Sequence, residues 1–151
     1  MVSIDQVLRR TYDQRCSVAR TLEVVGERWT LLIVREALHG VTRFDRFLDQ
    51  LAIARNVLTD RLHRLVEHGV LDRVPYQDRP VRHEYRITPR GRELATVVTA
   101  LMEWGDRHLA DEAGPPRVAE HAACGGQVAT MLHCSRCSHP VSPGEVITRP
   151  S

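Results

Sequence analysis

The chain has 151 residues, 42% of them hydrophobic, enough for one domain of ordinary size and a further small piece. No apolar run reaches the roughly 18 residues of a membrane span, and the opening MVSIDQVLRRTYDQ is polar and amphipathic rather than a signal peptide, which predicts a cytoplasmic protein with no membrane partner. The formal net charge of +2 is uneven, because residues 42–92 carry 11 Arg against 7 acids while residues 93–151 carry 4 Arg against 7, and such a basic middle suits either a DNA-facing surface or a solvated charged face.

Ser3 opens a first helix with Gln6 at the capping-box position, and Ile4, Val7, Leu8 and Tyr12 form its apolar stripe. That stripe is buried either in its own domain core or against a partner subunit. A second helix starts at Cys16–Ser17, with Ser17 as its cap and Val18, Leu22 and Val25 inward. Cys16 lies near that helix N-terminus between Arg15 and Arg20, a setting that favours thiolate over thiol. It is therefore read either as a redox- or electrophile-sensing thiol or as a small buried hydrophobe. The spacing predicts a third helix over Glu27 to Leu38, with Trp29, Leu32, Ile33 and Ala37 inward.

The stretch Thr42 to Gly69 carries the functional pattern. Thr42 and Asp45 resemble a capping box, and Phe44, Phe47, Leu48 and Leu51 mark one face of a short helix. A break at Ala52–Ile53–Ala54 precedes a longer run with Leu58, Leu62, Leu65 and Val66 inward, stopping at Gly69. Two helices joined tightly, the second bearing Arg and Asn near its start, form a helix-turn-helix whose second helix enters the major groove. Arg55, Asn56 and Thr59 are placed toward base edges, where Arg suits guanine and Asn suits adenine. Asp60 accepts from cytosine or orients an Arg, Arg61 and Arg64 reach phosphates or pair along the helix surface, and Arg43 is a phosphate candidate.

After Gly69 the periodicity turns strand-like over Val70 to Tyr76 and Val81 to Ile87, with a turn at Gln77–Asp78–Arg79–Pro80. This hairpin reads as a wing, and Arg79, Arg82 and His83 near its tip are candidates for DNA contact or plain exposed hairpin charges. Thr88 as N-cap and Pro89 at the first position open a long helix whose stripe is Leu94, Val97, Val98, Leu101 and Trp104. Paired with the N-terminal helix, it is the predicted dimer interface. Such a dimer sets two recognition helices about one DNA turn apart, roughly 34 Å, on a two-fold site.

DEAGPPR, from Asp111 to Arg117, breaks the pattern, so the expected organisation is a domain over 1–112, a linker over 113–120 and a tail over 121–151. The tail has too few apolar residues to fold alone. It does contain His121-x2-Cys124-Gly125 and, further on, Cys134-x2-Cys137, two knuckle-like ligand pairs. Four such N/S ligands complete a tetrahedral zinc site, and the metal would supply folding free energy. His133 and His139 compete for the imidazole position. The expected fold is therefore mainly α with a small β-wing, a winged helix-turn-helix domain followed by a short zinc-ribbon-like tail.

Cys16–Ser17–Val18, Leu22, Gly26–Glu27–Arg28–Trp29, Leu32–Ile33, Arg43–Phe44, Leu51, Leu58–Thr59, Arg61–Leu62, Leu65, Gly69, Tyr85 and Thr88–Pro89 together resemble the HxlR family of winged helix-turn-helix (MarR-like) regulators over about residues 12–110. Ser17 stands where the family commonly has Pro, Arg28 where it has Lys, and Ala54–Arg55–Asn56 departs from the usual Ser with polar neighbours. The resemblance implies a homodimeric DNA-binding transcription factor, most often a repressor on a palindromic operator. It also implies a response to an oxidant or small effector in those members whose Cys at the Cys16 position is reactive. A metal-responsive regulator with the tail as sensor, and a winged helix that binds only protein, are the alternatives. An enzyme is not expected: the chain has no His-x-Glu with Pro-Cys-x-x-Cys, no Gly-x-Ser-x-Gly, no phosphate-binding Gly-rich loop with Lys, and no His-Glu-x-x-His.

Overall fold

The computed structural model describes residues 11–149. The predicted N-terminal helix, with Ile4, Val7 and Leu8, lies outside the described residues. Two compact units follow, one through Ala95 and one from Thr96.

The first unit runs α1 (Ser17–Val25), α2 (Thr30–Leu38), α3 (Phe44–Leu51), α4 (Arg55–Glu67), β1 (Leu71–Asp78), β2 (Val81–Ile87) and α5 (Pro89–Arg92). Its core is where the heptad-like spacing places it. Leu58, Leu62 and Leu65, one face of α4, are fully buried with Ile33, Phe47 and Leu71. Each such side chain contributes roughly 1.5–3 kcal/mol by leaving water. α3 and α4 are joined through Ala52 in the left-handed region at φ +48, followed by buried Ile53 and by Ala54 as the N-cap of α4. Gly69 at φ +67 ends the second helix, as its position in the sequence predicts.

Several local expectations are corrected. Ser17 is the first helical residue of α1 and Cys16 is its N-cap, with no side-chain capping bond. α2 begins at Thr30 rather than Glu27, because Trp29 takes a left-handed backbone at φ +79 and so cannot continue a helix. Ala19 and Val25 turn inward from α1 and Ile33, Val34 and Ala37 from α2, which leaves Val18, Leu22 and Leu32 exposed. Thr42 does not cap α3: Arg43 is the N-cap, and the Thr42 hydroxyl donates to Glu84 Oε2 at 3.4 Å in the second wing strand.

The wing is a two-stranded antiparallel sheet, with Leu71 opposite Ile87 and Asp78 opposite Val81. The register shifts between Pro75 and Gln77, so Tyr76 is the extra residue of a bulge. The segment before α3 joins the sheet edge: Tyr85 N–H donates to Thr42 O at 2.7 Å, and Arg43 bridges Glu84. Thr88 caps α5 as predicted, accepting from Gly91 N–H at 2.9 Å while its hydroxyl donates to Gly69 O at 2.7 Å. The predicted single long helix is interrupted at Glu93, and α6 (Leu94–His108) follows.

The second unit consists of most of α6, then β3 (Leu132–His133) paired with β4 (Pro140–Val141), and a 3-10 turn over Pro143–Glu145. The division falls at 95/96, near the start of α6. The tail is fastened to α6, since Glu103 accepts from the Thr130 N–H at 2.6 Å and from its hydroxyl. Those bonds hold the Glu103 carboxyl below its ordinary pKa.

Candidate nucleic-acid interface

The exposed N-terminal turn of α4 carries Arg55, Asn56 and Thr59. Arg55 lies with its guanidinium 5.1 Å from the centroid of the Phe44 ring and 3.9 Å from Asp45 Oδ1. Thr59, also exposed, donates its hydroxyl back to Arg55 O at 2.9 Å. Asn56 is exposed at the same turn.

The surface continues onto the wing. Arg43, one residue before α3, lies with its guanidinium 4.8 Å from the centroid of the Tyr76 ring. The bulge at Tyr76 allows this stacking, because Arg73 and Tyr76, three apart on one strand, line the same shallow groove with Arg43, Arg82, His83 and Tyr85. Arg73 Nη2 is 3.1 Å from His83 Nδ1. Arg79 stands exposed at the hairpin tip and Arg82 beside it on β2. Glu84 is turned the other way: it accepts from Thr42 and, at 2.7 Å, from Arg86 Nε, and so holds the wing to the start of α3.

Two predicted DNA-facing cations are committed elsewhere. Arg61 Nη2 is 2.5 Å from Glu27 Oε2, its Nε donates to Arg28 O at 3.3 Å, and its other amine pairs with Asp60. Arg64 pairs with Glu27 and donates to Glu23 O at 3.1 Å. Arg61, Arg64 and Asp60 thus have the helix-surface pairing role that the sequence also allowed, and they tie α4 to the turn between α1 and α2. Arg73 and Tyr76 were missed by sequence reasoning; an aromatic beside an Arg-rich hairpin was the available signal.

The other predicted sites lie apart. Cys16 is half-buried as the N-cap of α1. On α6, Leu94 and Val98 are half-buried, while Val97, Leu101 and Trp104, at helical spacing, are 40%, 52% and 56% exposed. In the tail, His121 pairs with Cys124 and Cys134 with Cys137, but among the described residues no three His, Cys, Asp or Glu side chains gather closely enough to hold an ion. No helix of the described residues is long and apolar enough to cross a membrane.

Known proteins share this architecture. The uncharacterized HTH-type transcriptional regulator Rv3095 of Mycobacterium tuberculosis is 47% identical over 134 residues, covering 89% of this chain and 85% of its own length. The regulator sll1512 of Synechocystis is 34% identical over 98 residues, covering 64% and 73%. The crystal structure of PA1607, described as a transcription factor, superposes with a TM-score of 0.81 at 32% identity, covering 92% of this chain and 97% of its own. That share can be reached only by including residues of the tail. The reduced form of the redox regulator HypR superposes with a TM-score of 0.57 at 31% identity, covering 61% of this chain and 92% of its own. The profile of the HxlR-like helix-turn-helix family matches residues 24–113, and with the helix order and wing described above the chain belongs to that family, whose members matched here are HTH-type transcriptional regulators.

Proposed function

We propose that the chain is a homodimeric, sequence-specific DNA-binding regulator that reads a two-fold symmetric operator. The observation that carries this is the row of guanidinium groups seated on aromatic rings, Arg55 on Phe44 and Arg43 on Tyr76, leading from the first turn of α4 onto the wing with Arg73, Arg79 and Arg82. Rings hold these cations toward solvent, where phosphates and guanine edges can take them. The uncovered stripe Val97, Leu101 and Trp104 on α6 supports a second copy as the partner, because a 15-residue helix with no buried side chain needs cover for its apolar face.

Selection of bound DNA from a random pool tests the reading. An inverted repeat is expected, with affinity falling steeply as salt rises. Salt-independent association, or no enriched sequence, would favour a protein-binding winged helix. A second reading, a redox response, is favoured by Cys16 capping α1 and by the likeness to HypR, a redox regulator. Operator affinity measured before and after a mild oxidant, in the wild type and in Cys16→Ser, decides it: a response unaltered by the substitution removes Cys16 from the mechanism.

A further inference from the structure

The tail builds two small hairpins whose tips are alike. In the first, Glu120 bridges Gln127, and the N–H groups of Cys124 and Gly125 both donate to His121 O, at 3.2 and 2.8 Å. Gly125 turns the chain at φ +70. In the second, β3 and β4 pair on either side of the tip, and Ser138 N–H donates to Cys134 O at 3.0 Å. Ser138 occupies the equivalent left-handed position at φ +59, which a residue with a Cβ adopts only at a cost. Each tip brings the first and fourth residues of its turn together. His121 Nδ1 is 3.2 Å from Cys124 Sγ, and the Cys137 thiol donates to the sulfur of Cys134, which also accepts from the backbone N–H groups of Arg136 and Cys137.

These are the bites of metal knuckles. Zinc bonds of about 2.3 Å to sulfur and about 2.0–2.1 Å to nitrogen put tetrahedral N and S ligands about 3.5 Å apart. The His121–Cys124 pair is already close to that separation. Backbone N–H groups aimed at sulfur are the donors that stabilise a coordinated thiolate. His133 is committed within its own hairpin, its Nε2 lying 2.9 Å from Ser138 O, so His121 is the imidazole paired with a thiol.

The energetics point the same way. No described residue beyond Gly91 is fully buried, and Val128, Met131, Leu132, Val146 and Ile147 of the tail are all exposed. Apolar burial therefore does not account for an ordered pair of hairpins, and a segment of this size ordinarily needs a metal or a disulfide to hold it. The two pairs stand apart as they are, and among the described residues no third ligand joins either one.

We propose that one zinc ion joins the two hairpin tips, bound by His121, Cys124, Cys134 and Cys137. The three thiols release their protons to solvent and bind as thiolates, and His121 binds as the neutral imidazole. This site stands independently of operator reading.

The test uses the full chain, purified without an affinity tag under reducing conditions. Elemental analysis is expected to find about one zinc per chain. Cobalt substituted for it should give the thiolate charge-transfer band and the ligand-field bands of a tetrahedral site. Cys134→Ser and Cys137→Ser should each lower bound metal about tenfold or more, His121→Ala should weaken it, and His133→Ala should leave it unchanged. Chelation should speed hydrogen exchange in 120–141 while the α1–α4 helices stay protected, which separates loss of the site from loss of the fold. Metal content below about a tenth of an ion per chain, or content unchanged in the two serine variants (an adventitious ion only), would overturn the proposal.

Discussion

Arg43 offers the sharpest test of the interface. It is exposed, it pairs with no carboxylate among the described residues, and Tyr76 holds its guanidinium at 4.8 Å. If it meets a phosphate, Arg43→Ala removes one counterion-releasing contact per protomer. Each contact contributes about −0.9 to the slope of log K against log salt, which at 0.15 M amounts to about 0.7 log units, or about 1 kcal/mol. A dimer loses about twice that, so affinity should fall about 30-fold and the slope should flatten by about 1.8. The loss should be equal on operator and random DNA, since phosphates carry no sequence. Tyr76→Leu should cost less, about 0.5–1 kcal/mol per protomer, because the cation remains and only its seat is lost. Fluorescence anisotropy titrations over a series of salt concentrations measure all of this. An unchanged slope for Arg43→Ala, or a loss confined to the operator, would show that Arg43 does not bind phosphate.

Arg61→Ala should leave the salt slope unaltered and lower the denaturation midpoint, because that guanidinium is spent on Glu27, Asp60 and Arg28 O; a flattened slope would return Arg61 to the DNA surface. Gly91→Ala should destabilise the first unit by about 1–3 kcal/mol in urea titrations, since a Cβ there runs into the Val70 carbonyl and the Ile87 side chain, and an unchanged midpoint would refute that close approach. Asn56→Ala should narrow the gap between operator and random DNA by about 1–3 kcal/mol with the slope intact; equal losses on both would deny it a base. The bond from Thr130 to Glu103 should loosen with acid: the carboxylate is the better acceptor and its pKa is lowered, so the link is complete above the ordinary carboxylate range and is lost as pH falls through the lowered value. Exchange of the Thr130 amide followed against pH, in the wild type and in Glu103→Gln, reads this directly, and a wild-type rate no slower than the variant's at neutral pH would contradict it.

The parts of the fold that local rules govern were legible in the sequence. Leu58, Leu62 and Leu65 recur at helical spacing and are fully buried, Gly69 takes the left-handed stop, and Thr88 with Pro89 caps the next helix. What stayed hidden depends on partners distant in the chain. Glu27 draws in Arg61 and Arg64, which lie 34 and 37 positions later, and no helical periodicity signals that capture. Thr42 looks like a cap because Asp45 follows at the right spacing, yet Glu84 competes for its hydroxyl from the wing. The bulge at Tyr76 breaks the alternation from which strand faces are read, so the seat of Arg43 could not be placed in advance. The bond between Glu103 and Thr130 is hidden for the same kind of reason, since it reaches across the Pro/Gly-rich break at Asp111–Arg117.

The long-range captures also narrow where specificity can reside. A helix-turn-helix reads bases with the first turns of its second helix, and from Arg55 to Arg64 α4 has seven polar side chains, Arg55, Asn56, Thr59, Asp60, Arg61, His63 and Arg64, of which His63 lies 3.8 Å from Glu67 one turn further on. Arg61 and Arg64 are anchored back to the turn between α1 and α2, and Asp60 is held by Arg61. Their cost of ordering is already met in the free protein, and moving them to DNA would leave Glu27 unpaired. Arg55 is held only by a long contact to Asp45 and a ring face, Asn56 is exposed, and Thr59 is exposed with its hydroxyl bonded back to Arg55 O. Guanine, adenine and the thymine methyl are the respective complements of those three groups. On the proposed function, the residues that lock α4 in place and the residues left for DNA are different sets on one helix, so substitutions at Arg55, Asn56 and Thr59 are expected to change the DNA sequence selected from a random pool without lowering the denaturation midpoint.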